Sequence, residues 1–257
     1  MTSKRMPALF VGHGSPMNAI EDNIYTQAWS EIAQQFEKPK AILVVSAHWV
    51  TQGTRVNSLI KPKQIYDMYG FPEELYQLVY DCAGSIEFAN ETISIIDKDV
   101  KVDNTWGIDH GAWSVLCKMY PLADIPVFQL SIDRSASAEE HYQIGKKLNA
   151  LRDKGVLILG SGNVVHNLSR ISWDMEGGFP WAIDFDKYIF DNITNRKYEN
   201  VINYKSAGKS SELAFFTTEH YYPLLYVLGA SSSDDELKVF SRSCLMGSMS
   251  MTCYLFN

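Results

Sequence analysis

The chain has 257 residues, of which 46% are apolar and 21% charged, a composition typical of a globular protein with a large buried core. Lys and Arg number 23 against 30 Asp and Glu, so the net charge of −7 disfavours binding to the phosphate backbone of nucleic acids. The longest apolar stretches, such as residues 156–159 and 224–228, are far shorter than the roughly 20 residues of a membrane-spanning helix. We therefore predict neither a nucleic-acid partner nor a membrane segment.

The first half of the chain alternates strand-like and helix-like segments, which is typical of βα units around a mostly parallel sheet. An apolar run at residues 8–11 predicts the first strand and ends at Gly12. Apolar side chains then recur every four residues from Ile20 to Phe36, which predicts a helix with Asn18 or Asp22 as its N-cap. The elements predicted next are a strand at residues 41–45, a helix at 73–80 after Pro72, a helix at 86–96 and a strand at 125–132.

The second half begins with a capping box at residues 137–140, which predicts a helix that ends at Gly155. The later predictions are a buried strand at 156–159, helices at 181–189 and 219–229, loops at 208–212 and 230–236, and a β-like tail at 238–256. No repeat or long linker divides the chain. We predict one α/β domain over residues 1–257, with a central, mostly parallel sheet flanked by helices and a β-like C-terminal tail.

The cysteines are widely spaced and include no C-x-x-C pair; they are Cys82, Cys117, Cys244 and Cys253. This spacing predicts small buried hydrophobic residues in a reducing compartment rather than a disulfide framework. The apolar run near the amino end is too short for the hydrophobic region of a secretory leader. We expect a cytoplasmic protein.

Histidines follow three of the predicted strands. His13 comes directly after the first strand, His48 after the second, and His166 after the strand at residues 156–159. In an open parallel sheet the carboxyl ends of the strands meet at one edge, where ligands bind. Neutral imidazole is a common protein ligand of zinc and non-haem iron, so these loops indicate a metal site.

The other histidines are less informative taken alone. His110 and His220 lie in the segments Asp109-His110-Gly111 and Glu219-His220-Tyr221, and their spacing does not place them near the sheet edge. For any one of the five histidines, a hydrogen-bonded structural role is an equal alternative. His141 follows two glutamates on the polar side of a predicted helix, and we predict that it is solvated.

The histidine-bearing segments together resemble a known family. In chain order they are Gly12-His13-Gly14-Ser15-Pro16, Ser46-Ala47-His48-Trp49, Gly70-Phe71-Pro72, Asp109-His110-Gly111, Gly160-Ser161-Gly162-Asn163-Val164-Val165-His166-Asn167 and Glu219-His220-Tyr221. Over nearly the whole chain this pattern resembles the class III extradiol ring-cleaving dioxygenases, in the branch similar to 4,5-DOPA extradiol dioxygenase.

The resemblance implies a set of residue roles. His13, His48 and His220 are expected to bind the metal, with His166 as a close fourth contact in a zinc-bound form. Fe(II) is expected for activity, whereas Zn(II) fits the same ligands but cannot transfer electrons. His166 is expected to accept a proton from a catechol, and His110 to hydrogen-bond dioxygen and return a proton. The implied reaction converts a DOPA-like catechol and O2 into a muconic semialdehyde.

Two features of the segment around residue 219 bear on these roles. Class III relatives more widely use two histidines and a glutamate, and Glu219 adjoins His220. Neighbouring residues of a helix point about 100° apart and do not easily share one metal, so we favour His220. Phe215 and Phe216 also depart from the family pattern of a polar residue and proline, which leaves the substrate open.

Two other functions fit the same histidines. A zinc-dependent hydrolase would use them to lower the pKa of a bound water, and a metal-bearing binding protein would use them without catalysis. A DOPA-like substrate would also need a cation for its carboxylate. The sequence offers Arg55, Lys61, Lys63, Arg134 and Arg170 and does not choose between them.

Overall fold

A six-stranded sheet organises the computed structural model, which describes residues 5–97 and 99–257. The strands are β1 Ala8–Gly12, β2 Ala41–Ser46, β3 Val50–Thr51, β4 Arg55–Val56, β5 Lys101–Val102, β6 Val127–Gln129, β7 Ile132–Asp133, β8 Val156–Gly162, β9 Leu237–Phe240, β10 Cys244–Leu245, β11 Met249–Ser250 and β12 Cys253–Phe256. The helices are α1 Ile24–Ala33, α2 Glu73–Gln77, α3 Ile86–Ile96, α4 His110–Met119, α5 Ala138–Arg152, α6 Pro180–Thr194, α7 Tyr198–Ile202, α8 Lys209–Ala214 and α9 Tyr222–Ala230.

The central sheet has the strand order β6-β2-β8-β1-β12-β9. Its first four strands are parallel, whereas β12 runs antiparallel to both β1 and β9. Because β1, β2 and β8 point the same way, their carboxyl ends lie along one edge of the sheet. This arrangement confirms the predicted α/β class, the mostly parallel sheet and the β-like tail.

Helices cover both faces of the sheet, and every residue of β1, β2 and β8 is buried, most of them apolar. Alternate residues of β8 point to opposite sides: Ile158 packs into the core beneath α5, α6 and α9, and Leu159 into the core beneath α1 and α4. The predicted strands at 8–11, 41–45 and 156–159 and the predicted helix at 86–96 are confirmed.

Several predicted boundaries are wrong for identifiable physical reasons. Helix α1 begins only at Ile24, because Asn23 rather than Asn18 or Asp22 accepts hydrogen bonds from the first free amides. The buried face of this helix is formed by Tyr25, Trp29 and Ile32, and Ile24 is exposed. The apolar spacing therefore identified a helix but not its start.

Other differences come from tertiary pairing. The predicted strand at residues 125–132 divides into β6, which joins the central sheet, and β7, which pairs with β3. The predicted helix at 73–80 is shortened to α2. Of the polar segment predicted as a loop at 208–212, only Gly208 lies outside a helix; residues 209–212 belong to α8, whose Ser211 and Ala214 are buried.

His141 is fully buried, so the prediction that it is solvated is wrong. Its Nδ1 lies 2.8 Å from the Tyr226 hydroxyl, between α5 and α9. These helices approach closely because Gly145 and Gly229 carry no side chain; a Cβ on either glycine would lie within 2.3 Å of a facing carbonyl oxygen. The prediction failed because two glutamates precede His141 in the sequence and made its side of the helix look polar.

All four cysteines are free, and three of them are buried, as predicted. Cys117 is half-buried. Across the two described ranges, no helix combines the length and the apolar character that a bilayer crossing requires.

Candidate metal centre

Five histidines converge at the carboxyl edge of the parallel strands. The His13 ring centroid lies 5.1 Å from that of His48, 6.1 Å from His110 and 5.3 Å from His220. His48 and His110 are 3.8 Å apart, and the His166 ring stacks on His220 at 3.5 Å with a 4° angle between the planes. The structure thus places every histidine singled out for the site in one cluster.

Loops leaving three parallel strands carry His13, His48 and His166. His13 follows β1 directly, and its backbone amide donates to the Gly162 carbonyl at the end of β8. His48 comes two residues after β2, and His166 four residues after β8. The register of the sheet therefore fixes the spacing of these loops.

The remaining two histidines come from helix ends. His110 is the first residue of α4, and His220 lies in the turn before α9. The His220 carbonyl accepts a hydrogen bond of 2.8 Å from the Asn163 amide, which ties this turn to the end of β8. Packing of both helices on the sheet brings these side chains to the strand edge.

A buried carboxylate anchors the start of α4. Asp109 accepts hydrogen bonds from Ser46 Oγ at 2.6 Å, Gln129 Nε2 at 2.7 Å and Trp106 Nε1 at 3.1 Å. It also caps the helix by accepting from the Ala112 amide. Because Ser46 ends β2, these bonds hold His110 in a fixed position relative to that strand.

Hydrogen bonds determine which nitrogen of His13 carries the proton. Ser161 Oγ donates its single proton to the Gly111 carbonyl at 2.5 Å, so it accepts from His13 Nδ1 at 2.9 Å. Neutral His13 is therefore protonated on Nδ1, and its Nε2 carries a lone pair. That Nε2 lies 3.3 Å from Nε2 of His48.

One carboxylate contacts both His48 and His110. Asp67 Oδ2 lies 3.0 Å from His110 Nδ1 and 3.5 Å from His48 Nδ1, and Oδ1 accepts from the His110 amide at 2.8 Å. A carboxylate beside Nδ1 favours the tautomer with the proton on that nitrogen. In that tautomer of His48, its Nε2 and that of His13 face each other with lone pairs.

His220 has a comparable arrangement. Its Nδ1 lies 3.4 Å from Glu219 Oε1, and its Nε2 is buried without a hydrogen-bond partner among the described residues. Both residues precede α9 rather than lying within it, so the helical angle used to separate them does not apply. Glu219 instead contacts the His220 nitrogen opposite the buried Nε2.

This donor set fits a transition-metal ion. Ligand nitrogens of His13, His48 and His110 lie within 4.8 Å of one another, close enough to bind a single ion. Two facing lone pairs at 3.3 Å repel each other unless a cation lies between them, and a buried nitrogen without a partner is costly. Imidazole nitrogens of this kind suit both Zn(II) and Fe(II).

Burial keeps most of these imidazoles neutral. Burial, reinforced by the neighbouring histidines, lowers the pKa of His48 to about 3, although Asp67 opposes the shift. Burial lowers the pKa of His166 to about 4 and holds the pKa values of His13 and His220 well below 6.5. Neutral side chains are the form that binds metal.

No pattern in the sequence marks the carboxylates and hydroxyls that surround the histidines. Asp67 lies in an irregular segment between β4 and α2, and Ser161 belongs to the motif around His166, which does not indicate a contact with His13. Asp109 and Ser46 appeared in the histidine motifs, yet only the structure shows their contact. Their importance depends on hydrogen bonds between residues distant in sequence.

Gly162 lies where β8 meets the His220 turn. A Cβ built on Gly162 would be 2.1 Å from the His220 carbonyl oxygen, so any side chain there must displace backbone. We expect Gly162→Ala to destabilise the protein by about 1–3 kcal/mol and to weaken metal binding. Thermal unfolding and zinc titration measure the two effects. Gly177→Ala serves as the comparison, because its φ of 88° strains an alanine while no atom lies close enough to be displaced, so it should lose stability but keep its zinc affinity. Wild-type zinc affinity in Gly162→Ala would contradict the expected displacement of His220.

Comparison with known proteins gives a consistent family match. A family model described as the catalytic LigB subunit of aromatic ring-opening dioxygenase matches residues 7–256, a range that contains all five histidines of the cluster. Proteins named 4,5-DOPA dioxygenase extradiol are similar throughout. The one from Escherichia coli (strain K12) is 45% identical over 98% of this chain and 94% of its own length. The one from Beta vulgaris is 40% identical over 96% of this chain and 95% of its own length.

A solved structure is similar over the same extent. The crystal structure of an uncharacterized protein from Escherichia coli K12 superposes with a TM-score of 0.86 at 41% identity. The alignment covers 98% of this chain and all of the other one. The architecture described above is therefore shared from end to end.

Proposed function

Because this chain belongs to the family of the catalytic LigB subunit of aromatic ring-opening dioxygenases, we propose that it opens the ring of a DOPA-like catechol. The chain is an oxidoreductase of the extradiol dioxygenase type. In the proposed reaction a ring carbon–carbon bond beside the diol breaks, and both atoms of O2 enter the product, a muconic semialdehyde. The observation that carries the proposal is the cluster of five histidines at the strand edge.

The proposed metal ligands are the Nε2 atoms of His13, His48 and His220, with His166 beside them. The orientation of the Nδ1 protons supports this choice, since Ser161, Asp67 and Glu219 each contact the opposite nitrogen of one ligand. Fe(II) bound there would supply the electron transfer between catechol and O2 that a zinc ion cannot provide.

Two histidines remain for proton transfer. His166 stacks on His220, and burial lowers its pKa to about 4, so it is neutral at pH 7 and able to accept a catechol proton. His110 lies beside His48 with Nδ1 at 3.0 Å from Asp67, which leaves its Nε2 to take up a proton from the catechol and then, as a donor, to hydrogen-bond dioxygen. Proton delivery from His110 would then complete the acid–base cycle.

A groove next to the cluster suits the polar end of an amino acid. It has a volume of about 480 Å³, and its walls include Val50, two residues after His48, and Glu219, next to His220. Arg134 and the exposed Phe216 also line it. We propose that Arg134 binds the substrate carboxylate and that Glu219 faces its ammonium group.

Removal of the groove cation tests this assignment. We expect Arg134→Ala to raise KM for L-DOPA by about 10- to 100-fold, because a charge-assisted hydrogen bond contributes about 1.5–3 kcal/mol. Turnover of 4-methylcatechol, which has no carboxylate, should hardly change. The matched control is Lys61→Ala, whose side chain pairs with Asp81 outside the groove. Equal effects of Arg134→Ala on both substrates would reject the assignment.

The proposed activity is tested by oxygen consumption of protein reconstituted anaerobically with Fe(II) and given L-DOPA. We expect oxygen uptake together with the yellow absorbance of a semialdehyde, and loss of both in the zinc-loaded protein. No uptake over a panel of catechols, with iron bound stoichiometrically, would reject ring opening. Ester or amide hydrolysis by the zinc form would then favour the hydrolase alternative.

We also propose that residues 1–257 form one catalytic domain that functions in the cytoplasm. The central sheet supports the first point, since β1 pairs with β12 at the opposite end of the chain. Four free cysteines support the second, because such thiols persist in a reducing compartment.

A further inference from the structure

Asp67 is the only carboxylate that touches two histidines of the cluster in the described part of the chain. Oδ1 accepts a hydrogen bond from the His110 amide, and Oδ2 lies near Nδ1 of both His110 and His48. The Asp67 side chain is 14% exposed, so these contacts are largely shielded from water. Since a shielded carboxylate is a strong hydrogen-bond acceptor, its two oxygens constrain the donors around it.

The segment that carries Asp67 is held in place through Ile65, two residues before it. Ile65 is bonded to Ile108 through the backbone, because its amide donates to the Ile108 carbonyl at 2.8 Å. The Ile65 carbonyl in turn accepts from Trp113 Nε1 at 2.8 Å. Asp67 is therefore fixed to the first turn of α4, the helix that carries His110.

We propose that Asp67 is a positioning residue that fixes the Nδ1-protonated tautomers of His48 and His110 together. Both rings then present an Nε2 lone pair to the reaction site, that of His48 as a metal ligand and that of His110 as the nitrogen that takes up a proton and later returns it. A single carboxylate would thereby couple metal binding to orientation of the acid–base histidine. This inference rests on the ligand and proton-transfer roles in the proposed function.

The substitution Asp67→Asn separates this role from simple space filling. The introduced amide has nearly the same shape as the carboxylate, but an NH2 donor replaces one of the two oxygens. If the NH2 group takes the place of Oδ2, it opposes the Nδ1 protons of His48 and His110. If the amide is flipped, the NH2 group opposes the His110 backbone N–H. Relief in the first orientation requires a proton to move from Nδ1 to Nε2, where it blocks a metal ligand.

The test uses histidine tautomers and zinc affinity as well as activity. In metal-free protein labelled with 15N-histidine, we expect wild-type His48 to show Nδ1 protonation and the Asp67→Asn variant to show Nε2 protonation. Zinc affinity should fall by about 10- to 100-fold, as is typical when a carboxylate behind a ligand histidine is lost. Asp67→Glu, which keeps the carboxylate, should recover part of both signals.

Asp81→Asn is the matched control, because it removes an exposed carboxylate that pairs only with Lys61 among the described ion pairs. Wild-type tautomers and a zinc affinity within twofold in Asp67→Asn would overturn the inference. Thermal unfolding shows whether the Asp67→Asn variant is folded. If it is not, the histidine tautomers and zinc affinity of Asp67→Glu test the inference instead. If wild-type protein opened no catechol, the proposed function would fail, yet the tautomer and zinc measurements would still judge Asp67.

Discussion

Replacement of His220 by alanine should remove stoichiometric metal from the protein, whereas His110→Ala should retain the metal and lose about 10²- to 10⁴-fold in turnover. The difference follows from their partners. His220 Nε2 is buried without a hydrogen bond in the described structure, so it is available as a ligand. The His110 amide donates to Asp67 Oδ1, and Asp67 Oδ2 lies 3.0 Å from His110 Nδ1, so this ring is fixed beside a carboxylate rather than left free to bind a metal. Metal content and iron-dependent oxygen uptake measure the two outcomes.

The opposite pattern would assign a different ligand set. His13, His48 and His110 have nitrogens within 4.8 Å of one another, and they form the compact alternative. Loss of metal in His110→Ala with retention in His220→Ala would therefore contradict the proposed ligands. His141→Gln controls for loss of a buried histidine elsewhere, because His141 lies between α5 and α9 and bonds to Tyr226. We expect it to keep its metal.

The sequence predicted part of this site because parallel strands have a simple geometry. His13, His48 and His166 follow strands whose carboxyl ends necessarily meet, so residue positions alone indicated a shared edge. His110 and His220 have no such relation to the sheet. Their place depends on how α4 and the turn before α9 pack, and only the family resemblance indicated it.

Other features could not be predicted because they depend on contacts between distant segments. Asp67 lies in an irregular segment, and no periodicity marks its contact with His48 and His110. His141 led to the wrong prediction since its neighbours in sequence are polar while its neighbour in space is Tyr226. The strand at residues 125–132 divided because β7 pairs with β3 outside the central sheet. Sequence periodicity describes a single helix or strand, whereas each of these features depends on a contact between two separate segments of the chain.

The metal-free protein should lose stability steeply as pH falls below about 6.5. Burial lowers the pKa of His48 to about 3 and of His166 to about 4, and it also lowers those of His13 and His220. In the unfolded chain these side chains titrate near 6.5. Between about pH 6.5 and 4 the unfolded state therefore binds more protons than the folded state, so stability rises with pH in this window and is lost on acidification.

The pH dependence of the free energy of unfolding is large enough for the contribution of one histidine to be measured in a single variant. Each histidine that stays neutral in the fold contributes a slope of up to about 1.4 kcal/mol per pH unit, so four contribute at most about 5.5 kcal/mol per pH unit. Denaturant unfolding at pH 6 and pH 5 should show this dependence in metal-free protein. His48→Gln should reduce the slope by about 1 kcal/mol per pH unit. An unchanged slope in that variant would mean that His48 is protonated in the fold, and it could not then be a ligand nitrogen awaiting a metal. Acid stability and metal binding thus depend on the same neutral nitrogens, which makes the unfolding experiment an independent check on the proposed site.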